Sequence, residues 1–92
     1  MNPTRALKRI RDLARNGDYV ITAYCAARMW QRSISRVDVV AVLTRSRRCF
    51  AQENGRWKLE GVDMSGDPLV VIVEIQDGVV VVTVYGGDED EG

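Results

Sequence analysis

Histidine is absent from this chain of 92 residues, and the two cysteines, Cys25 and Cys49, form no C-x-x-C pair. Those shortages exclude several chemistries together. A structural zinc needs about four nitrogen or sulfur ligands, and two thiols cannot supply them. The commonest general base is missing. Cysteines this far apart read as small buried hydrophobes rather than as a disulfide framework. Long apolar runs are also lacking. Runs such as Leu69–Val73 and Val79–Val82 fall far short of the roughly 20 residues that span a bilayer. No apolar core of about 7–15 residues follows the basic N-terminus, so no secretory leader is read and a cytoplasmic location is expected. No glycine-rich phosphate loop is present, because Gly86-Gly87 opens an acidic run and not a helix. Neither a metal nor an organic cofactor is expected.

What is present is a segregation of charge. The formal net charge is zero, yet all thirteen Lys and Arg lie in residues 1–58, opposed there only by Asp12, Asp18, Asp38 and Glu53. That part carries a net +9, and the remaining acids give −9 to the rest. A basic half attracts phosphates. The plainer outcome is that the two halves fold together and neutralise.

Three helices are legible. The first runs from Pro3 to Asn16, with proline at its start, Gly17 at its end, and Ala6, Leu7, Ile10, Leu13 and Ala14 on one face. Arg5, Lys8, Arg9, Arg11 and Arg15 cover the other arc. The second runs from about Ala23 to Arg32 behind Thr22 as N-cap. Ala23, Ala26, Ala27 and Trp30 are expected to face the core, and Tyr24, Arg28 and Arg32 form a polar stripe at i, i+4 and i+8. The third starts at a capping box, Ser35 to Asp38, flanked by an Ile34–Val39 staple, and carries Val39, Val40, Val42 and Leu43.

Two hairpins follow. Asn54-Gly55 predicts a two-residue turn that sets Phe50, Trp57 and Leu59 on one face and Ala51, Arg56 and Lys58 on the other. Asp77-Gly78 predicts a second such turn. In that register Leu69, Val71, Val73, Ile75, Val80, Val82 and Val84 face the helices. The opposite face, with Val70, Ile72, Glu74, Val81, Thr83 and Tyr85, is mixed. It suits solvent, a cleft wall, or a partner that can be a second copy of the chain. The expected fold is α+β: one domain over 1–86, N-terminal helices on an antiparallel sheet of two β-hairpins, then a disordered acidic tail over 87–92.

One chemistry survives without histidine or metal. RNA cleavage by its own 2′-hydroxyl needs a proton acceptor, fixed positive charge and a donor to the leaving oxygen. Tyr24, Arg28, Arg32, Arg56, Lys58, Glu74 and Tyr85 are the candidates, provided they converge in one cleft.

The stretches ITAYCAARMWQRSIS, VDVVAVL, GRWKLEGVD, SGDPLVV and VVVVTVYGG, in this order, resemble the bacterial family catalogued as domain of unknown function 4258, over about residues 19–86. Such domains are similar to RelE- and MqsR-type toxins. The resemblance implies a RelE/MqsR-like fold, a toxin of a toxin–antitoxin system that cleaves messenger RNA, and a zinc-finger antitoxin of the YgiT/MqsA kind as partner. It matches Arg28 and Arg32 to the two motif arginines, Arg56-Trp57 to the G-R-W step and Tyr85 to the terminal tyrosine. The motif's histidine falls on Tyr24, its glutamates on Ala27 and Gln31, the basic turn residue on Asp67 and a strand histidine on Val70. Two readings follow: a ribonuclease that dispenses with histidine, or a non-catalytic member that binds nucleic acid or protein.

Overall fold

Asn2 opens the first helix, α1 (Pro3–Arg15): its side chain accepts the Arg5 N–H at 2.9 Å, which satisfies a donor that has no partner inside the helix. Ala6, Ile10, Leu13 and Ala14 bury the opposite stripe. Gly17 (φ +78°) then turns the chain. The computed structural model describes residues 1–89. After α1 come β1 (Tyr19–Ile21), α2 (Ala23–Gln31), α3 (Arg36–Arg45), β2 (Arg48–Ala51), β3 (Trp57–Val62), β4 (Pro68–Ile75) and β5 (Val79–Gly86). The fold is α+β, three helices on a five-stranded sheet of order β1-β5-β4-β3-β2.

The sheet is mixed rather than purely antiparallel. β2 to β5 contain the two expected hairpins, joined into one antiparallel meander by the β3–β4 pairing, but Tyr19–Ile21 adds a parallel edge strand on Val79–Val81. Three residues with no turn of their own carry little local signal, and parallel partners lie far apart in sequence. Ser35 and Asp38 form the capping box, and Met64 N–H adds a bond to Asp38 at 2.9 Å. These bonds hold the Asp38 carboxyl below its ordinary value, the Met64 bond contributing most.

Two registers differ from expectation. The first turn uses three residues, Glu53–Gly55, with Asn54 and Gly55 both at positive φ. Ala51 therefore faces Trp57, Phe50 faces Lys58 and Cys49 faces Leu59. One residue of slip moves Phe50 to the opposite side of the sheet. In the second hairpin Ile75 faces Val79, so Val79 and Val81, not Val80 and Val82, join the helix-side core. A β-bulge that leaves Val82 unpaired then restores the expected phase: Val84 faces inward and Thr83 and Tyr85 outward.

α2 shows its other face. Cys25 and Met29 are buried, while Ala23, Ala26 and Ala27 are exposed and Trp30 is 88% exposed. Among α3's core residues Val40 is only half-buried and Ala41 is buried. Of the tail expected from Gly87, Glu89 folds back to accept the Gly86 N–H at 3.1 Å; its last residues, 90–92, lie outside the described residues. Among the described residues no helix is long and apolar enough to cross a membrane.

Candidate active site

The site is built on the sheet face turned away from α1 and α3. Alternation along the paired strands puts Arg48 and Phe50 of β2, Lys58 and Glu60 of β3, Val70, Ile72 and Glu74 of β4, and Val80, Thr83 and Tyr85 of β5 on this outer face. Its floor is buried. Val70, Ile72 and Tyr85 form a second hydrophobic cluster that, among the described residues, no apolar helical side chain joins, with Thr83 buried beside them.

Lys58, Ile72 and Thr83 stand in one row across three strands, and Glu60, Val70 and Tyr85 in the next. Neighbouring strands are about 4.8 Å apart, so Lys58 lies roughly 10 Å from Thr83. Arg56, at the start of the same hairpin arm, turns its Nε to Glu74 at 3.3 Å. A shallow cavity of about 420 Å³ opens beside it, lined by Ala51, Gln52, Glu53, Asn54, Arg56 and Ile72. Lys58 Nζ sits 3.7 Å from Glu60 and 5.2 Å from the centre of the Phe50 ring. Arg48 reaches both Glu60, at 3.3 Å, and the same ring, at 5.4 Å. The rows thus combine cations, carboxylates, a tyrosine and an aromatic platform on one surface.

The helix residues play different parts. β1 pairs with β5 only as far as Val81, so the C-terminal half of β5 has an open edge. α2 seals it. Thr22 donates its N–H to the Val81 carbonyl and its hydroxyl to that of Val82, both at 3.1 Å, and Arg28 Nε donates to the Val84 carbonyl at 3.2 Å. Arg28 Nη2 is buried with no hydrogen-bond partner among the described residues, a donor held at the rim by the bond to Val84, the residue before Tyr85. Tyr24, one turn earlier, is 59% exposed with its hydroxyl 3.5 Å from Arg28 Nη1. Arg32 forms an ion pair with Glu89.

The seven residues expected at the site therefore separate. Arg56, Lys58, Glu74 and Tyr85 share the outer face, Arg28 stands at its β5 edge, and Tyr24 and Arg32 lie further out along α2. Thr83 and Phe50 belong to the face and were not foreseen as site residues. Thr83 Oγ1 is buried without a hydrogen-bond partner among the described residues. A lone threonine in a valine run carries no signal of this. The two-residue turn predicts Phe50 on the other face, and the three-residue turn brings it to this one. Cys25 is on the buried side of α2, and burial pushes its thiol up to about 11 against the opposing pull of Arg28; it is no thiolate nucleophile at neutral pH. Among the described residues no group of three or more Cys, Asp or Glu is placed to hold a metal.

No family model, no curated protein and no solved structure matches the chain.

Proposed function

We propose that the chain is a toxin-type ribonuclease of the RelE/MqsR kind, acting on single-stranded RNA at the outer sheet face without a metal. One observation carries the reading: Arg56, Lys58 and Glu74 share one face with Tyr85, which is part of that face's buried floor of Val70, Ile72 and Tyr85. In this reading Arg56 and Lys58 neutralise the phosphate as charge develops on it. Glu74, beside Arg56, accepts the proton of the 2′-hydroxyl. The 2′-oxygen then bonds to phosphorus, the bond to the 5′-oxygen breaks, and Lys58 or Tyr85 protonates the leaving oxygen. The products are a 2′,3′-cyclic phosphate and a 5′-hydroxyl. Phe50 offers a ring for a flanking base, and Arg28 places a buried donor at the rim.

A second reading draws on a different observation. Arg56 and Lys58 each already touch a carboxylate, and the histidine of the resembling family's motif is replaced here by Tyr24. On that reading the face holds RNA, a zinc-finger antitoxin or a second copy of the chain, and cuts nothing.

Induced expression in a bacterial host separates the two. The ribonuclease reading expects growth arrest and new RNA ends bearing 5′-hydroxyls, both lost in Lys58→Ala. Normal growth with intact RNA, at a protein level confirmed by blotting, contradicts it.

A further inference from the structure

The basic side chains of the sheet are paired, and most of those on α1 are not. Arg48, Arg56 and Lys58 each meet a carboxylate, as does Arg32 beyond α2. On the solvent side of α1, Arg5, Arg9 and Arg15 meet none among the described residues. Lys8 approaches Asp12 only at 4.0 Å, with side chains 77% and 56% exposed, a contact of little consequence in water. The acidic half of the sequence thus neutralises the sheet and leaves this helix face positive.

Arg11 joins the face to a second element. Its Nη2 donates to the Ser46 carbonyl at 3.1 Å, and this ties α1 to the turn between α3 and β2. Exposed Arg47 follows Ser46 directly. Arg5 to Arg15 spans ten residues, about 15 Å of helix rise. Phosphates of one strand of a duplex are spaced about 3.4 Å along its axis, so the helix face covers about four of them.

We propose that this face of α1, extended by Arg47, binds the phosphate backbone of a double-helical nucleic acid, separately from the outer sheet face. The absence of rings sets the partner's form. All six aromatic residues lie at position 19 or later, and none falls on α1 or on residues 45–47. Grips on single strands use aromatic stacking of unpaired bases. A surface of arginines without rings reads backbone charge and leaves stacked bases alone. Phe50 and Tyr85 stand on the sheet face instead, so the two surfaces suit different forms of nucleic acid. This inference does not depend on cleavage at the sheet.

Fluorescence anisotropy with the full chain tests it. The probes are a 20-base-pair RNA duplex, a DNA duplex of the same sequence, and one unpaired RNA strand, from 20 to 200 mM NaCl. The duplexes should bind, with log K falling linearly against log salt at a slope near −3 to −4 for about four phosphates. The variant carrying Arg5→Ala, Arg9→Ala, Arg15→Ala and Arg47→Ala should lose duplex affinity at least ten-fold at 50 mM salt and flatten the slope, with an unchanged circular-dichroism spectrum. Arg5→Ala with Arg9→Ala alone should lose part of it, and serves if the larger variant misfolds. Lys58→Ala should leave duplex binding intact. Absence of duplex binding at 20 mM salt, duplex affinity unchanged in the folded variants, or loss on Lys58→Ala instead, would overturn the proposal. Preference for RNA over DNA would identify an A-form duplex as the partner, and equal affinity would identify backbone charge alone; both uphold it. Loss of cleavage with duplex binding retained would bear on the sheet site only.

Discussion

Arg28 and Val84 are joined edge to edge: the guanidinium Nε of an α2 residue donates at 3.2 Å to a β5 carbonyl that β1 is too short to reach. An arginine that sequence reasoning assigns to phosphate therefore also closes a sheet edge. Arg28→Ala strips the Val84 carbonyl of its partner in a part-buried setting. It should cost about 1.5–3 kcal/mol, the range for a hydrogen bond from a charged donor. Arg28→Lys should recover only part of that, because an ammonium lacks the planar fork. Urea denaturation of the two variants measures both values, and equal stability of all three proteins would contradict the assignment.

The reversed face of α2 gives a paired prediction. Trp30 is 88% exposed and Met29 is buried. Trp30→Ala should change stability by less than about 0.5 kcal/mol, and Met29→Ala should cost about 2–5 kcal/mol. The order is the opposite of what side-chain size suggests. Thermal melts of the two variants decide it.

How far the sequence can be read varies by element, and α2 shows why. Its limits were legible from Thr22. Its buried side was not, because Tyr24, Cys25, Met29, Trp30 and three alanines put apolar atoms around the whole circumference. α1 and α3 were plain, since Pro3, Gly17 and the Ser35–Asp38 box mark ends through local bonds. β1 was hidden because its partner, Val79–Val81, lies some sixty residues away. Asn54-Gly55 correctly marked a turn, but Glu53 also enters it, and that one residue sent Phe50 to the other face. Arg56 and Lys58 on one face of β3 were legible from alternation. Tyr85 reaches the outer face because the bulge at Val82 offsets the shifted turn, and the Arg32–Glu89 and Arg56–Glu74 pairs, set by tertiary approach, were not legible.

Carboxylates on the sheet act as restraints on the cations beside them. Glu60 touches both Arg48 and Lys58. Glu60→Gln should raise affinity for a short unpaired RNA by up to about five-fold, matching the roughly 1 kcal/mol that such a partly exposed pair is worth. Glu74→Gln should raise affinity in the same way but abolish cleavage, because it removes the proton acceptor. Equilibrium binding and single-turnover cleavage on the same samples separate the two effects.

Asp38 links the α3 cap to the Met64 loop, and its carboxyl titrates below its ordinary 3.8. A depressed folded pKa stabilises the fold above the unfolded value, and that stabilisation fades as pH falls through the folded value. Asp38→Ala should cost about 1 kcal/mol at neutral pH. Its melting temperature should converge on that of the unaltered protein below pH 3.8. A gap that persists or widens in acid would contradict the assignment.

The most direct measurement uses a short RNA in EDTA and its counterpart with one 2′-deoxy sugar at the cleaved step. The purified chain should cut the first and leave a 2′,3′-cyclic phosphate, spare the second at that position, and lose activity in Lys58→Ala and Glu74→Gln. Cleavage that survives the deoxy substitution, or no cleavage of either strand by folded protein with and without ribosomes, would contradict a metal-free RNA-cutting site on the outer sheet face.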